Sequence, residues 1–317
     1  RLVSEEICSP ILERIVACRG KHRWAQTLEP IRYCHNPSSL RRQHGHYLIT
    51  GGMGGIGFTF AQYLANRYKS PHITIVGRSP FPNRNEWDTY LTDLQDGAVS
   101  DRIRQIRKLE AVGAKVQYIS ADISNEDSFQ HLVSESKGHF GEVHGIFHAA
   151  GLPGDEPIAN KTPAKAWKIL GPKVIGTRLL EAFYEGAQLD FFVLCSSVSA
   201  FLPVVGQVDY CGASAFLDAY AQAQHLAEVK NVISVDWYAW QEIGMAAEMA
   251  LPSTRLESLK DGIPPQEAPR LFDIILSVRL PQILISPITI DAVRAVNERF
   301  NALADSSGVS SGAQKTQ

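Results

Sequence analysis

Two hydroxyl-bearing side chains in this 317-residue sequence stand where carbonyl chemistry would need them. Cys195-Ser196-Ser197 closes an apolar run, and Asp209-Tyr210 precedes a helical pattern a short way downstream. Reduction of a ketone needs a proton for the alkoxide that forms as hydride arrives. A tyrosine supplies that proton when its pKa of about 10 is lowered by a nearby cation, and a serine hydroxyl can hold the same oxygen. A Ser and a Tyr alone carry little weight in any sequence. Their meaning depends on a partner motif.

That motif is Thr50-Gly51-Gly52-Met53-Gly54-Gly55-Ile56-Gly57, which follows the apolar run 46–50 and leads into a helical stretch over 58–68. Glycines let the backbone approach a pyrophosphate, and the unpaired N–H groups of a helix N-terminus receive its charge. Strand, glycines and helix in this order predict a dinucleotide-binding loop. The choice of dinucleotide rests on the end of the next strand, where NAD enzymes place a carboxylate about 20 residues beyond the glycines. Position 78 is Arg78, followed by Ser79. A guanidinium pairs with a 2′-phosphate where a carboxylate repels it, so NADPH is the expected cofactor. The alternative is an arginine solvated at a strand end. Two further strand ends carry candidate contacts, Asp122-Ile123 and His148-Ala149-Ala150-Gly151. Asp122 suits an adenine amino group and equally a helix cap; His148 taken alone suits a packed histidine.

Such residues need a scaffold that gathers strand ends. Apolar runs over 46–50, 72–76, 115–120, 143–149, 191–195, 232–237 and 282–286 read as strands. Helical patterns cover 58–68, a stretch ending near Leu109, 161–184 and 213–227, with Gly171-Pro172 predicting a kink or a fresh helix start. Strands alternating with helices predict an α/β fold: a doubly wound Rossmann-type sheet, mostly parallel, with helices on both faces. Hydrophobic residues at 44% and charged residues at 20% allow a large core and argue against disorder. Lys and Arg number 31 against 33 Asp and Glu, which gives no reason to expect nucleic acid or an anionic membrane as partner. The apolar runs fall short of the ~18 residues of a membrane span. Five cysteines without a C-x-x-C pair suit neither a zinc site nor a disulfide framework, so no metal is expected. Residues 304–317 are Ser/Gly-rich and read as a linker.

In order along the chain, these motifs resemble a ketoreductase domain of a modular polyketide synthase, within the short-chain dehydrogenase/reductase superfamily. The resemblance covers 46–286. It rests on the glycine loop, Gly77-Arg78-Ser79, His148-Ala149-Ala150-Gly151, Lys173-Val174-Ile175-Gly176-Thr177, Ser196-Ser197, Gly206-Gln207-Val208-Asp209-Tyr210, Phe216-Leu217-Asp218 and the segment 237–245. It implies that Tyr210 donates the proton and that Ser197, thirteen residues earlier, holds the carbonyl. Ordinary superfamily members carry a lysine four residues after the tyrosine, where this chain has Ser214. Ketoreductases of the resembled kind carry it in the helix after HAAG, where Lys173 stands, and place Asn at the position of Ser214. The chain therefore departs from the family at its fourth catalytic residue; a hydroxyl is shorter than an amide and offers fewer donors.

Stereocontrol is implied by the same route. Pro153-Gly154-Asp155 stands where D-type enzymes carry Leu-Asp-Asp, and Leu202 stands where L-type enzymes carry Trp. Asp155 and Leu202 therefore suggest the D-type (B-type) alcohol, with Gln207 beside them and Gly244-Met245 in a lid over 240–252; Asp155 reads equally as a loop carboxylate. The implied reaction is NADPH-dependent reduction of a β-ketoacyl thioester on the phosphopantetheine of an acyl carrier protein, beside neighbouring synthase domains, in the cytoplasm. The expected division is 1–45 as a remnant of a preceding structural subdomain, 46–290 as the NADPH-binding catalytic subdomain, and 291–317 as a helix end and flexible linker. A first residue other than Met suggests a piece of a longer chain. Two other readings stay open: a redox-inactive structural domain, which Ser214 favours, and a free-standing NADP-dependent dehydrogenase.

Overall fold

The computed structural model describes residues 16–31, 42, 44–92, 97–154, 156–228, 231–249 and 259–295. Their elements, in chain order, are β1 (Val16–Arg19), β2 (His22–Ala25), β3 (His46–Thr50), α1 (Gly55–Arg67), β4 (His72–Gly77), α2 (Trp87–Thr92), α3 (Gly97–Ala111) and β5 (Lys115–Ser120). There follow α4 (Glu126–Phe140), β6 (Gly145–His148), α5 (Pro163–Tyr184), β7 (Phe191–Cys195), α6 (Val208–Leu226), β8 (Val232–Trp237), α7 (Gly244–Met249), α8 (Ala268–Ser277) and β9 (Gln282–Ile285). The chain divides into two units, Arg1–His35 and Asn36–Gln317. In the first, β1 and β2 form an antiparallel hairpin about Gly20, whose φ of 62° suits a residue without a side chain.

In the second unit, β3 to β9 form one parallel sheet in the order β5-β4-β3-β6-β7-β8-β9. Alternate residues of each inner strand serve different cores. Tyr47 and Ile49 of β3, Phe147 of β6 and Val193 of β7 face one apolar cluster with Phe60 of α1, Ile106 of α3 and Phe272 of α8. Leu48, Ile146, Phe192 and Leu194 face the other, with Phe129 of α4, Leu180 of α5 and Leu217 of α6. A strand buried on both faces reads as a continuous apolar run, which is why these strands were visible in the sequence. The expected Rossmann-type fold is present. Phe60 anchors the first core, its ring stacked on Phe147 at 4.0 Å and edge-on to Phe272 at 4.9 Å.

Three departures from the sequence reading have physical causes. Pro172 neither breaks α5 nor starts it: the helix runs through, begun by the Thr162 cap and Pro163. The carbonyl that Pro172 leaves without a donor belongs to exposed Lys168, where water can serve it. Helices α4 and α8 escape the sequence reading. In α4 only Phe129 and Leu132 are fully buried apolar residues, so its periodicity is faint, although the Asn125 cap and first-turn Glu126 and Asp127 mark its start. Finally, α6 begins at Val208, which brings Tyr210 into its first turn. The linker expected at 304–317 lies outside the described residues. No helix among the described residues is long and apolar enough to cross a membrane.

At the other end of the sheet, His46 is wholly buried, with Nδ1 3.0 Å from the Gly141 carbonyl oxygen and Nε2 2.9 Å from Thr74 Oγ1. Burial pushes its pKa down from 6.5 to about 4; the Gly141 carbonyl and Glu142 oppose this, and neighbouring His72 and His144 add to it. The unfolded chain therefore takes up a proton near pH 6.5 that the folded chain refuses until about pH 4. Stability should be full above pH 6.5 and fall on acidification, by up to about 3 kcal/mol from His46 alone. Urea unfolding measured between pH 7 and pH 4 should show this loss, and His46→Gln should flatten it. An unchanged slope in the variant would place the acid sensitivity elsewhere.

Candidate active site

The sheet order reverses direction between β3 and β6, and ligands of open α/β sheets lie at the carboxyl ends of strands flanking such a point. Here Thr50 Oγ1 and His148 Nδ1, at the ends of the two strands, are hydrogen-bonded at 2.6 Å and completely buried. Burial, reinforced by the Lys173 charge, pushes His148 down to about 3, so it stays neutral and ties the two strand ends together. The glycine loop crosses this junction at close range. A Cβ on Gly51 (φ 66°) would lie 2.8 Å from the Ala149 carbonyl oxygen, and one on Gly57 would lie 2.5 Å from that of Gly51. Gly54 stands at the N-cap of α1 without a side-chain cap, so the first N–H groups of the helix face outward.

A cavity of about 760 Å³ extends from this loop. Of the expected cofactor contacts, Gly51, Gly54, Gly55, Ile56, Gly57, Arg78, Asp122, Ile123, Ala149, Ala150, Gly151, Lys173 and Tyr210 line it. The bare glycines and uncapped helix start fit a pyrophosphate, and Arg78, in no ion pair among the described residues, fits a further phosphate. Asp122 uses one carboxylate oxygen to accept the Ser124 N–H at 2.8 Å. Four expected contacts lie off the cavity. Thr50 is committed to His148; a Cβ on Gly52 would press on Ile75 at 2.9 Å; Met53 packs on the core; and Ser79 is exposed, its carbonyl accepting from Tyr118.

At the chemical end, Ser197, Leu202, Gln207, Tyr210, Gly244 and Met245 also line the cavity, whereas Asp155 lies outside the described residues, as do residues 250–252 of the expected lid. Lys173 arrives from the middle of α5, only 3% exposed. Its ammonium donates to Ser214 Oγ at 2.9 Å and lies 4.5 Å from the centre of the Tyr210 ring. Ser214, fully buried one turn after Tyr210 on α6, thus holds the lysine from behind and does not reach the cavity. Ser197 caps the short turn Val198–Ala200, accepting from the Ser199 N–H at 3.2 Å, while its neighbour Ser196 donates to the Ser214 carbonyl. Cys195 is buried and its thiol is pushed up to about 12, so it packs and does not react. Trp237 does both jobs: 4% exposed within the core cluster, it also forms cavity wall.

Sequence reading did not find the walls contributed by Leu259, Asp261 and Val293, which arrive from distant segments without a motif, and it gave Tyr238, inside the 237–245 motif, no place in the cavity wall. It also passed over Lys161, whose ammonium lies 2.7 Å from Asp209 beside Tyr210. Among the described residues no group of His, Cys, Asp or Glu could hold a metal ion.

The model of the KR domain family matches residues 45–242, the span that carries the glycine loop, Lys173, Ser197 and Tyr210. The chain belongs to the ketoreductase domain family of polyketide synthases. A phenolphthiocerol/phthiocerol polyketide synthase of Mycobacterium tuberculosis is 31% identical over 267 residues, which is 83% of this chain and 14% of that protein. A solved N-terminal ketoreductase from the macrolactin assembly line is 30% identical, with a TM-score of 0.68, covering 87% of this chain and 50% of that one. A ketoreductase domain from the bacillaene assembly line is 29% identical, with a TM-score of 0.71, covering 86% and 62%. The chain thus spans about one seventh of the curated relative it matches. Family members are oxidoreductases that reduce β-keto groups in polyketide synthesis, and the fold is that of nicotinamide-dependent enzymes.

Ser214 tests the geometry of this ketoreductase domain directly. Hydrogen bonds to charged groups contribute about 1.5–3 kcal/mol. Ser214→Ala should lower kcat by roughly ten- to a hundredfold in steady-state assays, by freeing the Lys173 ammonium from its place over Tyr210. Unchanged kcat would mean that the lysine is held by other contacts.

Proposed function

We propose that this domain uses NADPH to reduce a β-ketoacyl thioester, carried on the phosphopantetheine of an acyl carrier protein within a polyketide synthase, to the D-3-hydroxyacyl thioester. The supporting observation is one cavity bounded by the glycine loop and Arg78 at one end and by Ser197, Tyr210 and Lys173 at the other. Gly51, Gly54, Gly55 and Gly57 would hold the pyrophosphate, Arg78 the 2′-phosphate, Asp122 and Ile123 the adenine, and Lys173 with Tyr210 the nicotinamide ribose. When bound, the cofactor supplies hydride to the β-carbon.

The chain's own groups do the rest. The Tyr210 phenol gives its proton to the oxygen of the developing alkoxide, and the ammonium 4.5 Å from its ring centre stabilises the phenolate left behind. Ser197 holds the same oxygen, exchanging its present bond with Ser199 for one to the substrate. Ile243, just before α7, and Met245, within it, add apolar side chains to the cavity wall, which would help to keep water from the reacting atoms. Leu202, 2% exposed in the cavity wall, stands at the position where L-type enzymes carry Trp, and this supports the D-type product.

The test is loss of 340 nm absorbance when NADPH and a β-ketoacyl pantetheine thioester are mixed with the protein, followed by chiral analysis of the alcohol. Intact NADPH binding without turnover would favour the redox-inactive structural reading, and an L-alcohol would overturn the stereochemical one. Tyr210→Phe should abolish reduction while NADPH still binds, since the proton donor and one ribose contact are lost but the glycine loop and Arg78 remain. Arg78→Ala should weaken NADPH far more than NADH in fluorescence titrations; equal weakening would place Arg78 away from the 2′-phosphate.

A further inference from the structure

The helix that carries Tyr210 starts without a side-chain cap, because its N-cap is Gln207, which makes no such bond. Asp209, in the first turn, takes up the work. Its Oδ1 accepts the N–H of Tyr210 at 2.9 Å, which satisfies one of the donors that every helix start leaves unpaired. Its Oδ2 receives the ammonium of Lys161 at 2.7 Å, and this ion pair is almost dry, the two side chains being 8% and 2% exposed. Removing two charges from water is costly, and the alternative of an apolar pair is often at least as stable. Stability alone is therefore a weak reason for an ion pair in this place.

The pair joins two specific pieces of cavity wall. Lys161 ends the loop that leaves β6 and carries Leu152 and Pro153 into the cavity; Asp209 adjoins Gln207 and Tyr210 on the facing wall. The same two pieces meet at two further points. The Glu156 N–H donates to the Gly206 carbonyl at 3.1 Å. Gly154 is packed so tightly that a Cβ there would lie 2.5 Å from Asp209 Oδ1, 3.2 Å from Gln207 Cα and 3.4 Å from Tyr210 Cβ.

We propose that Lys161 and Asp209 are positioning residues for Tyr210: their buried ion pair sets the separation between the 151–161 loop and the first turn of α6, and through it the aim of the phenol and the stereochemical purity of the alcohol. This rests on the reading of Tyr210 as proton donor. Neither residue faces the reacting atoms; each acts through the backbone of the turn that presents the tyrosine. Displacing a catalytic group by about 1 Å can cost a hundredfold in rate, so a small relaxation of this clamp suffices.

The test compares wild type with Lys161→Met, Asp209→Asn and Lys161→Arg, each carrying 3-fluorotyrosine at position 210. The ¹⁹F resonance, kcat, KM and the enantiomer ratio are measured, with NADPH binding and thermal unfolding as controls for folding. In Lys161→Met and Asp209→Asn the resonance should move, kcat should fall about tenfold or more with KM changed less than about threefold, and the minor enantiomer should rise. Lys161→Arg, which keeps the charge, should recover most of the loss. If a single variant does not fold, the double variant Lys161→Gln/Asp209→Asn takes its place, because it leaves no buried charge unpaired; a displaced resonance is expected there too. Variants that fold with the wild-type resonance, kcat and enantiomer ratio would overturn the proposal, even if they melt at lower temperature. A wild-type protein that reduces nothing sinks the reading of Tyr210 instead, and the ¹⁹F arm then still decides whether the ion pair holds the ring.

Discussion

A lysine ammonium shut away from water is the constraint around which this site is arranged. Lys173 is 3% exposed, so its charge must be met by protein groups, and those groups are the ones that define the site. Ser214 accepts a hydrogen bond on one side, the face of Tyr210 lies on another, and His148 is kept neutral partly by the same charge. The lysine can reach this place because α5 passes Gly171-Pro172 without ending, directly before the position that carries it. The sheet beneath must be rigid enough to hold a cation in such surroundings, and two apolar clusters, one on each face, make it so.

The close approach of the backbone at the cofactor end follows from the same economy of space. Gly51 lies against Ala149, and a Cβ on Gly55 would collide with the nitrogen of Gly244, at the start of α7. The glycine loop is thus in contact with both the strand end behind it and the helix in front of it. Close packing by itself is reason enough for glycine at 51 and 55. At Gly52 the missing side chain lets the loop settle on Ile75.

Much of this was legible in the sequence, for reasons that differ by element. The inner strands were clear because both faces are buried, which leaves uninterrupted apolar runs. The glycine loop, Ser197 and Tyr210 stood out because each lies in a short motif, and the structure brings all three to one cavity. Helix α4 was faint because it buries few apolar residues; α8 was passed over although its apolar residues gather on one face and Phe272 is central to the core. Lys161 gave no signal at all: a lysine after a short turn reads as solvated, and only folding brings Asp209 to it. Ser214 was legible as a departure, but its direct bond to Lys173 depends on the relative position of α5 and α6, which no local pattern encodes.

The bond between Thr50 and His148 spans 98 residues, and it has a consequence for time as well as space. Pairing across so long an intervening chain is slow compared with local helix formation. During synthesis, the glycine loop emerges with its own strand and helix long before the strand that forms its back wall. Until β6 arrives, Gly51 has no Ala149 to rest against, and until Val293 follows, the far wall is absent as well. The cavity is therefore among the last features to be completed, and a growing chain carries the motifs that line it before it owns the enclosed space they form.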